Sequence, residues 1–521
     1  MKLNDSYEYI VVGSGFGGAF AAYNLSKAGK EVLVVERGRW VQRDDTCWDE
    51  RKLHIDDPIY RGLTPTIVNQ KWRRKDLEWP DDTVGGMSTF YGAAAFRLRE
   101  SDFEGPPRQN SDQKERRFTW PFNYQALSPY YDEAEALQNV AGVMGEDITE
   151  PQRESDYPQT PPKTLSLPSQ KIKDAALDIG LHPFHIPLAI NFSNNNGKAK
   201  CILCGTCDHY LCKIEAKNDL SVSVLPYAMK HGARIISNTR VVKINLSNGK
   251  VVSVDLVDQA SGERKTVNTK VLIVACGALS TPHLLLTSGI DTIYNGGSFI
   301  GRSLMRHISG VVCGVFPFKT NPEKKFQKQI AISDFYYGDI KKRKSWPPGN
   351  WGIIQDVSCV GKGYIKTNAP WGLRNIGAFL SDYSINQLCI AEDIPHYRNR
   401  VFVDWKNRDI FGMPTLRVYH RYNKRDFDAI NALYRVAKKI LKRAGSHLYY
   451  IAPIETFSHA LGTCRFGESS ATSVLDPECR VWGVKNLYVL DASFMPSGGS
   501  VNPSLTIAAN SLRVSDILSN I

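Results

Sequence analysis

The run Gly13-Ser14-Gly15-Phe16-Gly17-Gly18 restricts this chain more than any other stretch. Glu8 to Val12 before it reads as a short apolar strand. Ala19 to Ala28 after it reads as a helix stopped by Gly29, and Glu31 to Glu36 as a second buried strand. A G-x-G-x-x-G in this setting, with an acidic residue closing the next strand, opens a dinucleotide-binding βαβ unit. Gly13 makes the tight turn, Gly15 lets the backbone approach a pyrophosphate, and Gly18 lets helix and strand pack closely. Ser14, Phe16 and Gly17 lie between them, where the helix N-terminus faces the phosphates. The Glu36 carboxylate can accept from both ribose hydroxyls and disfavours a 2′-phosphate; Arg37 follows it at the strand end. A tight βα turn with no ligand is the plain alternative.

With 521 residues the chain exceeds one ordinary core, and two domains are expected. Hydrophobic residues at 42% and charged residues at 23% suit a globular protein. No apolar stretch approaches the roughly 18 residues of a membrane span. No basic segment followed by an apolar one marks a secretory signal, so a cytoplasmic protein is expected. The net charge is +12, but the basic residues are scattered. The densest runs, Lys341-Lys342-Arg343-Lys344 and Lys324-Lys325, sit in polar loops without a groove-reading motif, and a nucleic-acid partner is not expected.

Further along, residues 101–118 read as a charged loop. Ser128-Pro129 reads as an N-cap and N1 pair opening a helix through Leu137. Residues 145–168 read as a surface connection, and residues 235–275 as β-rich with a hairpin at Asn248-Gly249. A helix is expected over Lys424–Arg443.

Three further motifs follow the fingerprint. Val84-Gly85-Gly86-Met87-Ser88 continues to Tyr91-Gly92-Ala93. Cys276-Gly277-Ala278 is followed by Ser280-Thr281-Pro282, Leu284-Leu285 and Ser288-Gly289-Ile290. The last is the block from His459 to Leu512. With Trp120-Pro121 and Pro129-Tyr130-Tyr131, these resemble, in order, the glucose–methanol–choline (GMC) oxidoreductase family over most of the chain. The resemblance implies FAD, a flavin domain built from separated segments, and oxidation of a CH–OH group. Covalent flavin attachment in such enzymes needs a His or Cys near the Gly85–Gly92 loop. Residues 83–100 hold neither, so dissociable FAD is expected.

A backbone with little side chain at Gly85, Gly86, Ser88, Tyr91 and Gly92 can lie against the isoalloxazine and offer N–H groups to N5 and O4. An ordinary loop is the alternative. By the resemblance, His459 faces the flavin and accepts the substrate hydroxyl proton, a task suited to a pKa near neutrality. Asn502 is its partner, able to hydrogen-bond the substrate oxygen but not to act as a base. Asn502 and Pro503 also read as N-cap and N1 of a helix running to about Ile517, whose positive end can stabilise charge at the flavin N1–O2 edge. Asp491 and Ala492, at the end of a strand from Asn486, are placed near the ribityl and pyrophosphate. Cys276, Gly277 and Val242 complete the expected cofactor contacts, and His307 reads as structural.

Cys201-x2-Cys204-x2-Cys207-x4-Cys212 stands apart. Its compact spacing suits thiolate ligation of one centre, although bacterial ferredoxins use x2, x2, x3 and a following proline. Certain sugar dehydrogenases of the family hold an iron–sulfur cluster in this region with a different spacing. An iron–sulfur cluster, a structural zinc, or free thiols are the alternatives. The other seven cysteines read as buried thiols.

The expected architecture is α/β: a Rossmann-like FAD-binding domain from residues 1–110, 196–299 and 456–521, carrying the cysteine cluster. An α+β substrate domain with an antiparallel sheet comes from residues 111–195 and 300–455. The expected activity is oxidation of a small-molecule alcohol, by analogy a sugar or aminosugar, with oxygen or a redox partner as electron acceptor. A sterol or long-chain alcohol oxidase, and a flavin/iron–sulfur electron carrier, are the alternatives.

Overall fold

Ile10, Val11 and Val12 are buried on both sides, which places their strand inside a sheet rather than at its edge. In the computed structural model this strand is Ser6–Val12, near the middle of a seven-stranded sheet. The structure describes residues 3–53, 66–68, 71–73, 82–105, 118–194, 197–294, 296–338, 349–369 and 371–520. Of the expected loop at 101–118, residues 106–117 lie outside them, as does the basic run at 341–344, and the loop's described start belongs to a 3-10 helix, Glu100–Glu104. Val32–Val35 and Arg264–Val274 flank Ser6–Val12 in parallel, and Arg234–Ile236 extends the sheet beyond Val32–Val35. The eleven-residue strand Arg264–Val274 has two partners in succession. Its first half pairs antiparallel with Lys250–Asp258, and its last three residues pair parallel with Leu487–Val489. The hairpin expected at Asn248-Gly249 joins Thr239–Ser247 to Lys250–Asp258, with φ of +50° and +72° at its two turn residues.

A second sheet of six strands is antiparallel throughout. Its order is Leu448–Ile454, Ile308–Val315, Ser384–Ala391, Gly352–Val357, Ile330–Ile332, Pro183–His185. Strict alternation of burial along Ile308–Val315 gives this sheet two different faces. One face, through Ile308, Val312, Ile385 and Cys389, packs on the helix Lys424–Arg443 through Ala429, Leu433 and Ile440. That helix has the bounds expected from sequence. The Asn423 side chain accepts from the Asp426 N–H while the Asp426 carboxylate accepts from the Asn423 N–H, and Lys442 and Arg443 occupy the last turn. The other face floors the cavity described below.

Element ends shift slightly from expectation. The first helix, Phe16–Lys27, begins directly after Gly15, whose extended backbone makes it the N-cap. Leu127 rather than Ser128 caps the helix Ser128–Leu137. The C-terminal helix is Ser504–Ser519. Among the described residues no helix is long and apolar enough to cross a membrane.

Leu433 is 1% exposed at the helix–sheet contact. Leu433→Ala is expected to lower stability by about 2–5 kcal/mol, read as a fall in the urea unfolding midpoint. An unchanged midpoint would mean that this helix does not hold the sheet in place.

Candidate active site

The glycine run is shaped by backbone contact. Gly13 has φ +99°, and a Cβ there would lie 2.4 Å from Ala275 O. At Gly17 it would lie 1.9 Å from Leu490 O, and at Gly18 1.9 Å from Gly13 O. These three glycines are required by the chain's own packing. Gly15 differs: a Cβ there meets nothing within 4 Å, so the space before the helix N-terminus is open. That opening is the cradle a pyrophosphate needs.

Glu36 sits where expected. Its Oε2 accepts from Ser14 N–H at 2.9 Å and from Ser14 Oγ at 2.6 Å, and its Oε1 accepts from Gly38 N–H at 2.8 Å. Burial pushes its carboxyl above the usual range. The Ser14 hydroxyl also accepts from Gly85 N–H at 2.9 Å, clamping the second glycine loop onto the first. Arg37 pairs with Asp82 at 2.7 Å.

These segments wall a cavity of about 1810 Å³. Its volume exceeds the roughly 300–1,000 Å³ of one small-ligand site, leaving room for a cofactor and a substrate together. Gly13, Ser14, Gly15, Phe16, Gly17, Glu36, Arg37, Gly86, Tyr91, Gly92, Cys276, Gly277, Asp491, Ala492, Asn502 and Pro503 line it, with Met87 besides. Asp491 ties two motifs together, since its carboxylate accepts from Gly277 N–H at 2.9 Å, from the Thr281 hydroxyl, and from Ser493 N–H.

Four expected cofactor residues do not line the cavity. Gly18 serves helix–strand packing, as its spacing suggests. Gly85, at φ +94°, turns the loop that presents Gly86. Ser88 is buried, donating to Gly85 O at 2.7 Å and accepting from Leu220 N–H at 3.0 Å. The expectation at Val242 is corrected by one residue. Val241 lines the cavity, while Val242, at a register shift in the pairing with Lys250–Asp258, packs against the core.

His459 and Asn502 do meet, with His459 Nε2 3.4 Å from Asn502 Nδ2. Asn502 is not the helix cap, since Pro503 holds that place and its side chain makes no cap hydrogen bond. The Asn502 amide is thereby free for the cavity, and its Oδ1 accepts from Gln355 Nε2 at 2.9 Å. His307, read from sequence as structural, lines the cavity, with Nδ1 3.1 Å from His459 Nδ1 and Nε2 3.4 Å from Gly498 O. His307 has φ +55°, and its N–H is held by Asp393 Oδ1 at 2.9 Å. Burial lowers the pKa of His459 to about 3, with His307 and Lys328 acting in the same direction, and burial lowers that of His307 too. Gln355 had no signal in sequence, being one of two adjacent polar residues in a short strand.

The four clustered cysteines show no metal-holding arrangement among the described residues. All eleven cysteines are free thiols, and among the described residues no three His, Cys, Asp or Glu side chains form a metal-holding group. Left-handed φ values at Leu203 (+56°) and His209 (+65°) bend the chain between successive cysteines. Cys201 Sγ accepts from Leu203 N–H at 3.4 Å and Cys204 Sγ from the Thr206 hydroxyl at 3.3 Å. Burial pushes the Cys201 thiol up to about 12 and raises Cys207 as well.

Two glycine variants separate cradle from packing. Gly15→Ala is expected to fold with an unchanged melting temperature but to retain less flavin, because its methyl fills the opening. Gly17→Ala is expected to lose stability outright, because its methyl meets Leu490 O. Equal flavin content in Gly15→Ala and wild type would contradict the assignment of the cradle.

Sequence models of the N- and C-terminal parts of GMC oxidoreductases match residues 7–309 and 395–511. The chain is 28% identical to 6'''-hydroxyparomomycin C oxidase of Streptomyces lividus, over 98% of this chain and 90% of that protein. It is 27% identical to 2-methyl-1,2-propanediol dehydrogenase of Mycolicibacterium austroafricanum, over 99% and 95%. In fold it matches the formate oxidase of Aspergillus oryzae with a TM-score of 0.68 at 15% identity, covering 100% of this chain and 99% of that one. The fingerprint, the two glycine loops and the C-terminal block stand in one cavity wall, and the chain belongs to the GMC oxidoreductase family.

Proposed function

We propose that this FAD-dependent oxidoreductase oxidises the carbinol carbon of an alcohol, with His459 as general base and Asn502 as hydrogen-bond donor to the same oxygen. The observation that carries the reading is the pairing of His459 Nε2 and Asn502 Nδ2 at 3.4 Å inside the cavity that also holds the open Gly15 cradle. FAD, when bound, accepts the hydride that leaves the carbinol carbon. The chain supplies the rest. A neutral imidazole takes the hydroxyl proton, and the amide N–H stabilises the oxygen as negative charge builds on it. The start of the helix at Ser504 turns its positive end toward the cavity wall. Loss of water around the pair strengthens each of these contacts.

A sugar or aminosugar alcohol is the first substrate reading, supported by the name of the Streptomyces relative. The cavity floor favours a second, a long-chain or sterol-like alcohol. Rows across the antiparallel sheet run Ile390–Ser309–Ile454, then Leu388–Val311–Ala452, then Val357–Asn386–Cys313–Tyr450, and are mainly apolar. Carboxylates beside the cavity are already engaged. Glu50 accepts from Gly363 and Tyr364 N–H groups, Asp208 pairs with Lys328, and Asp382 pairs with Lys362. Asp208 Oδ2 is buried without a hydrogen-bond partner and is the acceptor a cationic sugar would find among them. Turnover of glucosamine against a long 1-alkanol decides between the readings.

His459→Ala is expected to keep its FAD and to reduce it with alcohol roughly 10²–10⁴-fold more slowly. Reduction of the retained FAD at the wild-type rate would contradict the role. The conjugate acid of His459 is lowered to about 3, so the base form is present from there upward. The acid limb of the wild-type rate should therefore fall well below the roughly 6.5 of a free imidazole. A limb at that ordinary value would contradict a buried neutral base.

A further inference from the structure

Five groups stand in a row through the catalytic pair. Gln355 Nε2 lies 2.9 Å from Asn502 Oδ1, and Asn502 Nδ2 lies 3.4 Å from His459 Nε2. His459 Nδ1 lies 3.1 Å from His307 Nδ1, and His307 Nε2 lies 3.4 Å from Gly498 O. Amide ends and imidazole tautomers are each ambiguous when taken singly. The row as a whole is not, because one end is a backbone carbonyl, which only accepts.

The assignment runs outward from that end. Gly498 O requires a proton on His307 Nε2. A neutral His307 then has its lone pair on Nδ1, so His459 Nδ1 must carry the proton between the two rings. A neutral His459 is left with its lone pair on Nε2, which must accept from the Asn502 amide N–H. Asn502 Oδ1 then faces Gln355 and needs a donor, which Gln355 Nε2 supplies. Burial keeps both imidazoles neutral, as this logic requires.

We propose that Gln355 and His307 are positioning residues that impose a single hydrogen-bond direction on the catalytic pair. This places the His459 lone pair on Nε2 and the Asn502 N–H beside it. An alcohol hydroxyl entering there meets an acceptor for its proton and a donor for its oxygen at once. With the opposite direction, Nε2 would carry a proton, Asn502 would present its carbonyl oxygen, and neither group could do its work. Gln355 is fully buried on the strand Gly352–Val357, and its Oε1 has no partner, so Nε2 is its engaged end. His307 is held by its backbone, with Asp393 accepting its N–H. The proposal rests on reading His459 as the base, and its test includes a readout independent of turnover.

The experiment uses the FAD-loaded protein and two variants. Gln355→Leu removes the donor and leaves Asn502 without orientation. Gln355→Glu keeps the shape but donates only when its carboxyl is protonated. The rate of anaerobic FAD reduction by a 1-alkanol is followed against pH, together with histidine ¹⁵N NMR of the substrate-free protein. Gln355→Glu should approach wild type at low pH and fall roughly tenfold or more as its carboxyl ionises. Gln355→Leu should be slow at every pH, and FAD content should be unchanged in both. The NMR should find His459 protonated on Nδ1 in wild type. A purely space-filling Gln355 would make the isosteric Gln355→Glu the milder change at all pH values and would overturn the proposal. So would a wild-type His459 protonated on Nε2. If no alcohol reduces the wild-type flavin, the alcohol-oxidising reading falls, and the NMR still decides the direction of the row.

Discussion

Backbone packed directly against backbone at Gly13, Gly17 and Gly18 is the contact on which the rest of this molecule depends. Ala275 O, Leu490 O and Gly13 O each approach to where a side chain would begin. Three segments far apart in sequence are drawn to one point: the first βα turn, the end of the strand Arg264–Val274, and the stretch after Leu487–Val489. Ser14 adds a polar clamp at the same point, giving its proton to Glu36 and taking one from Gly85. The cofactor cradle and the C-terminal block that carries His459 and Asn502 therefore share one wall because Gly13 and Gly17 have no Cβ, while Gly18 closes the turn on itself.

Desolvation governs the chemistry of that wall. It raises the Glu36 carboxyl and pushes the Cys276 thiol up to about 12, so the thiol stays protonated beside the cradle. It lowers His459 and His307, so the base is a neutral imidazole rather than a cation waiting to lose a proton. Some charges in the cavity wall are paired, as with Lys328 and Asp208 at 2.9 Å and Arg37 and Asp82 at 2.7 Å, while Glu36 and Asp491 are held by N–H and hydroxyl donors. In a site of this kind the direction of neutral hydrogen bonds matters as much as charge. The six-stranded sheet contributes to it from below, through Gln355.

What the sequence made legible was local. The glycine run, the Asn248-Gly249 hairpin and the capped helix Lys424–Arg443 are each determined within a few residues, by φ > 0, by turn chemistry, or by a reciprocal cap. What it concealed was contact across distance. Gln355 reaches Asn502 over 147 positions and His307 reaches His459 over 152, and neither pairing leaves a periodic or spaced trace. Val242 sits at a register shift in its strand, which regular alternation read from sequence does not reveal, and Val241 lines the cavity instead. The cysteine spacing suggested one metal centre, yet among the described residues no three His, Cys, Asp or Glu side chains form a metal-holding group. Asn502 was expected to cap a helix, and its amide instead accepts from Gln355 because the cap falls one residue later.

The most direct measurement is single-turnover FAD reduction, without oxygen, by one alcohol in protiated form and deuterated at the carbinol carbon. The account predicts that the bound flavin bleaches with either form and that deuterium slows the bleaching several-fold, because the C–H bond breaks as the hydride leaves. Flavin that stays oxidised with every alcohol offered, while still bound in the cradle, would contradict it.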